Sequence, residues 1–138
     1  MHLGPTNSRR SNGWKASGTT LGEITINDDG TLANKQQYYY MHVPSNSLEG
    51  RLDGMCMSRD GWLVAATELG VQICDQPGRV HLILPKPRLA KRVSYTAFGG
   101  KDWKTLYIAT GNQVYKRRTK LIGAQPWQAP VKPPRPRL

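Results

Sequence analysis

The sequence predicts an all-β protein built from antiparallel strands, and two observations support that prediction. Short runs rich in β-branched and aromatic residues recur along the chain, and Asp-Gly, Pro-Gly and Gly-Gly steps separate many of them. No segment keeps apolar residues at helical spacing for three turns, so no amphipathic helix is expected. Short runs between such turns are typical of a meander of β-hairpins.

Nine runs are expected to form strands. In chain order they are Glu23–Ile26, Gln37–Val43, Gly54–Met57, Trp62–Thr67, Val71–Cys74, Val80–Leu84, Val93–Phe98, Leu106–Thr110 and Gln113–Lys116. Two of them resemble each other, because WLVAAT at 62–67 realigns with TLYIAT at 105–110. At the same offset Val71 falls on Val114. A repeat of about forty residues with several strands per unit favours a β-propeller blade, although two matching segments also allow a β-sandwich.

Composition divides the chain into three segments. Residues 1–20 are rich in Ser, Thr, Asn and Gly and are expected to be disordered. Residues 125–138 contain half of the 10 prolines, and an extended polyproline-type tail is expected there because proline excludes helix and central strand. Residues 21–124 remain to form a β domain.

Charge is spread unevenly over the 138 residues. The chain has 20 Lys+Arg against 9 Asp+Glu, and residues 76–138 contain fourteen basic residues but a single acidic one. Such asymmetry indicates either an anionic partner or a solvated basic surface. No apolar stretch suits a transmembrane helix or a signal peptide, so a cytoplasmic location without a membrane partner is expected. The 2 cysteines are expected to be reduced and buried.

Several short motifs follow one another in a fixed order. DGM at 53–55 precedes DG-W-L-V-A-x-T, then GVQI-x-D-x-x-G, AFGG at 97–100, KTLYIAT and QVYKR. Over about residues 24–118, this order and spacing resemble the senescence-marker-protein/gluconolactonase family, whose members are six-bladed β-propellers that hydrolyse sugar lactones with a bound divalent metal. The resemblance covers about the last third of such a propeller and implies about two four-stranded blades. Copies would close them into a ring by self-association, or they would repack as one compact β domain.

The resemblance places a candidate metal ligand at Asp53. The Asp of the DGM turn ligates the metal in this family, and a carboxylate on a turn suits a hard divalent cation. The alternative for Asp53 is a plain Asp-Gly turn. Asn12, in SNG, is a second candidate for the family's Asn ligands, although no apolar strand follows it here. The family's Glu ligand has no counterpart.

The resemblance implies that the chain descends from metal-dependent lactone hydrolases and that its active site is incomplete. Hydrolysis would need a metal to polarise the lactone carbonyl and a base beside the attacking water. With Asp53 alone carried over, the isolated chain is expected to be inactive and to hold no cofactor. Ca or Zn is expected only if self-association rebuilds a site. A structural module without chemistry is a further interpretation, and no serine-nucleophile or phosphate-loop motif occurs.

The alternative function is a basic binding module for nucleic acid or another polyanion. Cations and aromatic rings alternate in the second half of the chain, and the candidates are Lys91, Arg92, Lys116, Arg117, Arg118, Trp103 and Tyr107. Rings that stack on bases beside cations would suit single-stranded nucleic acid. The same residues are also typical of a solvated surface and a core, so nucleic acid is the less favoured partner.

Overall fold

Ten β-strands and no helix make up the part of the chain that the structure describes. A computed structural model describes residues 10–11, 20–47, 49–88 and 90–128. The strands are β1 (Arg10–Ser11), β2 (Thr20–Ile26), β3 (Leu32–Tyr40), β4 (Met55–Met57), β5 (Leu63–Thr67), β6 (Gly70–Cys74), β7 (Val80–Pro85), β8 (Val93–Gly99), β9 (Thr105–Thr110) and β10 (Gln113–Arg118). In these ranges no helix is long and apolar enough to cross a membrane.

The strands form three antiparallel sheets, each with its strands in chain order. The orders are β1-β2-β3, β4-β5-β6-β7 and β8-β9-β10. Consecutive strands pair through short turns, which is the hairpin meander that the sequence predicts. The all-β prediction is confirmed, and the four-stranded sheet has the make-up expected of one propeller blade.

The four-stranded sheet owes its burial to the runs LVAAT and GVQIC. Every residue of β5 and β6 is buried, so both strands lie in the interior with both faces covered. Gly70 begins β6 at φ +127°, and a Cβ there would lie 2.1 Å from the Leu84 carbonyl oxygen. Only glycine therefore allows the β5–β6 turn to approach β7 this closely.

The internal repeat corresponds to equivalent strands of two sheets. β5 is the second strand of its sheet and β9 is the second strand of the next sheet. Val71 of β6 and Val114 of β10 likewise lie in third strands. The sequence offset is therefore the repeat of one blade on the next, as the alignment predicts.

Two buried clusters hold the sheets together. The larger joins Val64, Ala66, Val71, Ile73 and Leu84 of the four-stranded sheet to Val93, Phe98 and Leu106 of the three-stranded sheet β8–β10. The smaller joins Leu21, Tyr39 and Met41 to Leu63, Ala65 and Cys74. The four-stranded sheet therefore packs on its neighbours on both sides, with the β1–β3 sheet on one side and the β8–β10 sheet on the other.

The predicted strand positions agree with the observed ones within a few residues, except at β3. That strand begins at Leu32 rather than Gln37 and ends at Tyr40 rather than Val43. Most of the predicted terminal segments 1–20 and 125–138 lie outside the described residues, although Arg10–Ser11 pairs with β2. Both cysteines are free thiols, Cys74 buried and Cys56 half-buried.

Candidate functional site

The DGM turn lies where the four-stranded sheet meets the β8–β10 sheet. The Asp53 amide donates to the Ala66 carbonyl at 3.0 Å, and the Gly54 amide donates to the Ser94 carbonyl at 2.9 Å. A Cβ on Gly54 would lie 2.0 Å from the ring of Tyr95, so the turn needs glycine to reach β8. The turn is thereby bonded to both sheets, and it fixes Asp53 at the start of β4.

The Asp53 carboxylate forms an ion pair rather than standing free. Its Oδ2 lies 3.1 Å from Nη2 of Arg92, and the two side chains are 42% and 50% exposed. The sequence predicts Asp53 as a metal ligand and Arg92 as a polyanion contact, and the structure brings these two candidates together. At this exposure the ion pair contributes about 0–1 kcal/mol to stability. Its main consequence is that the Arg92 guanidinium takes the place beside Asp53 that a metal ion would need.

A second carboxylate lies beside the same turn. Glu68 accepts a hydrogen bond from the Lys86 ammonium at 2.9 Å, and its amide donates to the Gly50 carbonyl at 3.1 Å. The Lys86 hydrogen bond lowers the pKa of Glu68 against the smaller opposing effect of burial, and the charges of Lys86, Arg51 and Arg92 add to the lowering. Arg51 is itself paired with Glu49, its Nε atom lying 3.6 Å from Oε2. We call Asp53, Arg92, Glu68, Lys86 and Arg51 the turn cluster.

The turn cluster does not fit a divalent metal. Ca²⁺ takes 6–8 oxygen ligands, whereas both carboxylates here already accept from cations. Across residues 10–11, 20–47, 49–88 and 90–128 no three His, Cys, Asp or Glu side chains are grouped so that they could hold a metal ion. Asn12, the other predicted ligand, lies outside the described residues.

Part of the predicted polyanion surface lies on one face of the β8–β10 sheet. Tyr107 is the register partner of Lys116 and also of Ala97, and Ala109 is the partner of both Tyr95 and Val114. Register partners share a face, and faces alternate along a strand. Tyr95, Tyr107, Val114 and Lys116 therefore share one face, on which the first three are 56%, 38% and 70% exposed. We call it the open face.

The other residues predicted to bind a polyanion contact different parts of the protein. Arg118 forms a two-pronged ion pair with Asp102, and this hydrogen bonding lowers the pKa of the carboxyl group. Trp103 packs against the larger core cluster and meets Trp127 edge to face at 5.8 Å between ring centroids. Lys91 and Arg117 are exposed, and Lys91 passes beside the turn at Gly111. The structure therefore groups Tyr107 with Lys116 and separates Trp103 from them.

Sequence reasoning missed three members of the turn cluster, namely Arg51, Glu68 and Lys86. A usable signal existed for Glu68, because β4 and β5 pair antiparallel and the end of β5 must then lie beside the start of β4. Lys86 follows β7, whose end pairs with Gly70 at the same β5–β6 turn. The hairpin register alone would have placed both residues near Asp53.

Comparisons with known proteins agree with this architecture. The sequence model described as the SMP-30/Gluconolactonase/LRE-like region matches residues 18–112. An X-ray structure of a candidate gluconolactonase superimposes with a TM-score of 0.65 at 20% sequence identity, covering 78% of this chain and 34% of that one. No curated protein sequence matches the chain. The chain thus spans about a third of that solved chain, and its matched segment includes the DGM turn and both repeated strands. It belongs to the SMP-30/gluconolactonase/LRE-like family.

Proposed function

We propose that this chain is a gluconolactonase-like propeller segment whose inherited metal-binding turn no longer serves catalysis within one copy. The ion pair between Asp53 and Arg92 is the observation that supports this proposal. Metal-dependent lactone hydrolysis needs a cation that polarises the carbonyl and lowers the pKa of a water molecule. Here a guanidinium occupies the carboxylate that the resemblance assigns to the metal.

The electrostatics of the turn cluster favour the same conclusion. A divalent cation at Asp53 would have to displace Arg92 and remain near Lys86 and Arg51, whose charges act on the neighbouring Glu68. Opposite charges within a few ångströms are favourable and like charges are unfavourable by comparable amounts. Lys86 and Arg51 are each paired with a carboxylate, so the displacement of Arg92 from Asp53 is the main electrostatic cost of binding a metal there.

A rebuilt site would require a second copy of the chain. The open face of the β8–β10 sheet exposes Tyr95, Tyr107 and Val114 together, and apolar surface of this kind is typical of a face that another sheet covers. Self-association through it would add ligands from another copy, and a catalytic Ca or Zn site could form only in such an assembly. Light scattering on the full chain decides whether assemblies form.

The test combines activity with metal binding. The full chain is assayed for hydrolysis of gluconolactone with Ca²⁺, Zn²⁺ or Mn²⁺, and no turnover above buffer is expected. Mn²⁺ broadens amide resonances near its binding site, so no broadening is expected at Asp53 in the natural chain, whereas Arg92→Ala should produce it. Lys101→Ala removes an equal charge from an exposed turn and serves as the control. Turnover that Asp53→Ala abolishes would overturn the proposal.

The second candidate function is weak, sequence-independent binding of single-stranded nucleic acid on the open face. The exposed ring of Tyr107 opposite Lys116 favours it, since a ring beside a cation can stack on a base and contact a phosphate. Binding should weaken with salt at a logarithmic slope of roughly 0.7 per neutralised phosphate. Tyr107→Ala should reduce the affinity and Trp103→Ala should lower only stability, because the Trp103 ring packs against the core.

A further inference from the structure

A cleft of about 300 Å³ separates the four-stranded sheet from the β8–β10 sheet, on the side away from the open face. Val71, Leu84, Val93 and Ile108 line its apolar part, and the first three belong to the larger core cluster. Small-molecule pockets span roughly 300–1,000 Å³, so this cleft is large enough for a compact ligand. Its floor is continuous with the hydrophobic core, and a ligand there would meet rigid, packed side chains.

The rim of the cleft is cationic. Its lining includes Lys86, Lys116 and Arg117 but no Asp or Glu. Tyr115 and Arg117 are the register partners of Ile108 and Leu106, so they share the strand face that packs on the four-stranded sheet. Lys116 alternates to the open face, and so its side chain points away from the cleft. Arg117 is therefore the cation of β10 best placed to act on an occupant.

The two cations on the cleft side differ in how fully they are paired. Lys86 donates to Glu68 at 2.9 Å, which uses one of the three ammonium donors. Arg117 has no acid within ion-pair distance among the residues that the structure describes. Its guanidinium can donate to both oxygens of a carboxylate, sulfonate or phosphate without breaking an existing pair.

From this geometry we propose that the cleft binds a small amphipathic anion, in the form of an apolar ring or short chain that ends in a carboxylate. The apolar body would lie on Ile108 and the Tyr115 ring, above the buried Val71 and Val93, and the carboxylate would lie at the mouth beside Arg117. The Tyr115 hydroxyl donates to Gln113, and the phenol ring is left as an apolar wall. This site is distinct from the DGM turn, none of whose residues line it, although Lys86 of the turn cluster lies at its rim.

The cleft favours a small molecule over a polypeptide segment for two reasons. Pro85 and Pro87 form part of the wall, and proline offers no amide that could pair with an incoming strand. Pro85 also lies opposite Gly70 in an existing strand pairing, so its backbone on that side is already engaged. Binding of an acidic segment from a second copy is an outcome that the experiment below distinguishes.

The experiment uses three probes with one ring system and different charge. Naphthoate, naphthylmethanol and naphthylmethylamine are titrated into the full chain while amide resonances are followed by NMR. Naphthoate should bind saturably, with shifts centred on Val71, Val93 and Ile108. The neutral alcohol should bind roughly tenfold more weakly, because it lacks the charge-assisted contact to Arg117. The amine should not bind.

Variants separate a site from general attraction to a basic protein. Arg117→Gln should weaken naphthoate binding roughly tenfold. Lys35→Gln, which removes the same charge from an exposed position of β3 on the other side of the four-stranded sheet, should change it less than about twofold. Ile108→Phe should block the cleft, with thermal melting to verify its fold. The proposal would be overturned if the amine bound as well as naphthoate or if the two charge variants had equal effects. It would also be overturned if the shifts were confined to the open face. A rise in molecular mass by light scattering without cleft shifts would also overturn it, in favour of a second copy.

Discussion

Replacing Asp75 by Asn tests the best-connected carboxylate in the structure. The residue is 5% exposed, yet it accepts the Arg79 amide at 2.8 Å and the Arg79 guanidinium at 2.8 and 2.9 Å. Nε2 of His81 lies 2.9 Å from the same Oδ2 atom, and the His81 ring meets Trp62 edge to face. An amide nitrogen in place of Oδ2 would turn both Arg79 contacts at that atom into donor–donor contacts, whereas Nε2 of His81 could still accept in one tautomer.

The expected loss in the free energy of unfolding depends on how exposed Arg79 and His81 are. A hydrogen bond to a charged group contributes about 1.5–3 kcal/mol, but Arg79 and His81 are 73% and 48% exposed and regain water when released. Discounting each contact to about 1 kcal/mol gives a loss of about 2–3 kcal/mol in the free energy of unfolding. For a domain of this size that lowers Tm by roughly 10 °C.

The pH dependence of the same variant gives a second readout. Burial alone would raise the pKa of Asp75, but the hydrogen bonds from Arg79 and His81 outweigh it and hold the pKa below its ordinary value of 3.8. The stabilisation is therefore fully present above that value and is lost as pH falls through the lower folded-state pKa. The Tm difference between the natural chain and Asp75→Asn should be constant near neutrality and should shrink only below pH 3.8.

The measurement is thermal unfolding followed by circular dichroism, with Asp60→Asn as the matched control. Asp60 is 48% exposed and contacts Arg59 at 3.5 Å, so its loss should cost less than about 1 kcal/mol. Equal destabilisation by the two variants would show that net charge, rather than the Asp75 contacts, decides the result. A Tm difference unchanged at about pH 2.5 would contradict the linkage argument.

Two further predictions concern packing between strands. Gly123→Ala should lower the free energy of unfolding in urea by about 1–3 kcal/mol, because the new Cβ would lie 2.2 Å from Cβ of the buried Phe98. Gly22→Ala is the control, because its nearest contact is at 3.4 Å, and it should change that free energy by less than about 0.5 kcal/mol. Gln72→Leu should cost about 1–3 kcal/mol and accelerate hydrogen exchange at the His42 amide, since the buried Gln72 side chain bonds both the amide and the carbonyl of His42. Unchanged exchange at His42 would show that this bridge does not hold the segment after β3.

The strands could be predicted from sequence because local patterns decide them. β5 and β9 carry runs of β-branched and small apolar residues, and the turns that flank them contain glycines at positive φ such as Gly61 and Gly111. The start of β3 was missed because Leu32–Gln36 is mostly polar and exposed, so neither composition nor alternation marks it. Its pairing with β2, which includes register shifts, extends the strand instead.

The candidate site was only partly predictable, for a different reason. Asp53 follows from the DGM motif, but its partner Arg92 is far away in sequence and stood out only as part of a basic run. The contact depends on β8 packing beside the DGM turn, which the Gly54–Ser94 hydrogen bond fixes. Such pairs are determined by tertiary packing, and a motif identifies one member without the other.

The distribution of cations connects the two proposals. At the DGM turn, Arg92 and Lys86 each pair with a carboxylate, so the positive charge there is largely compensated and the carboxylate that the resemblance assigns to a metal is engaged. At the neighbouring cleft, Arg117 lacks such a partner among the described residues, and the floor beneath it is apolar. Under the two proposals, neighbouring cations of the basic half therefore act differently. At the turn Arg92 competes with a metal for Asp53, whereas at the cleft the guanidinium of Arg117 is left to bind a carboxylate.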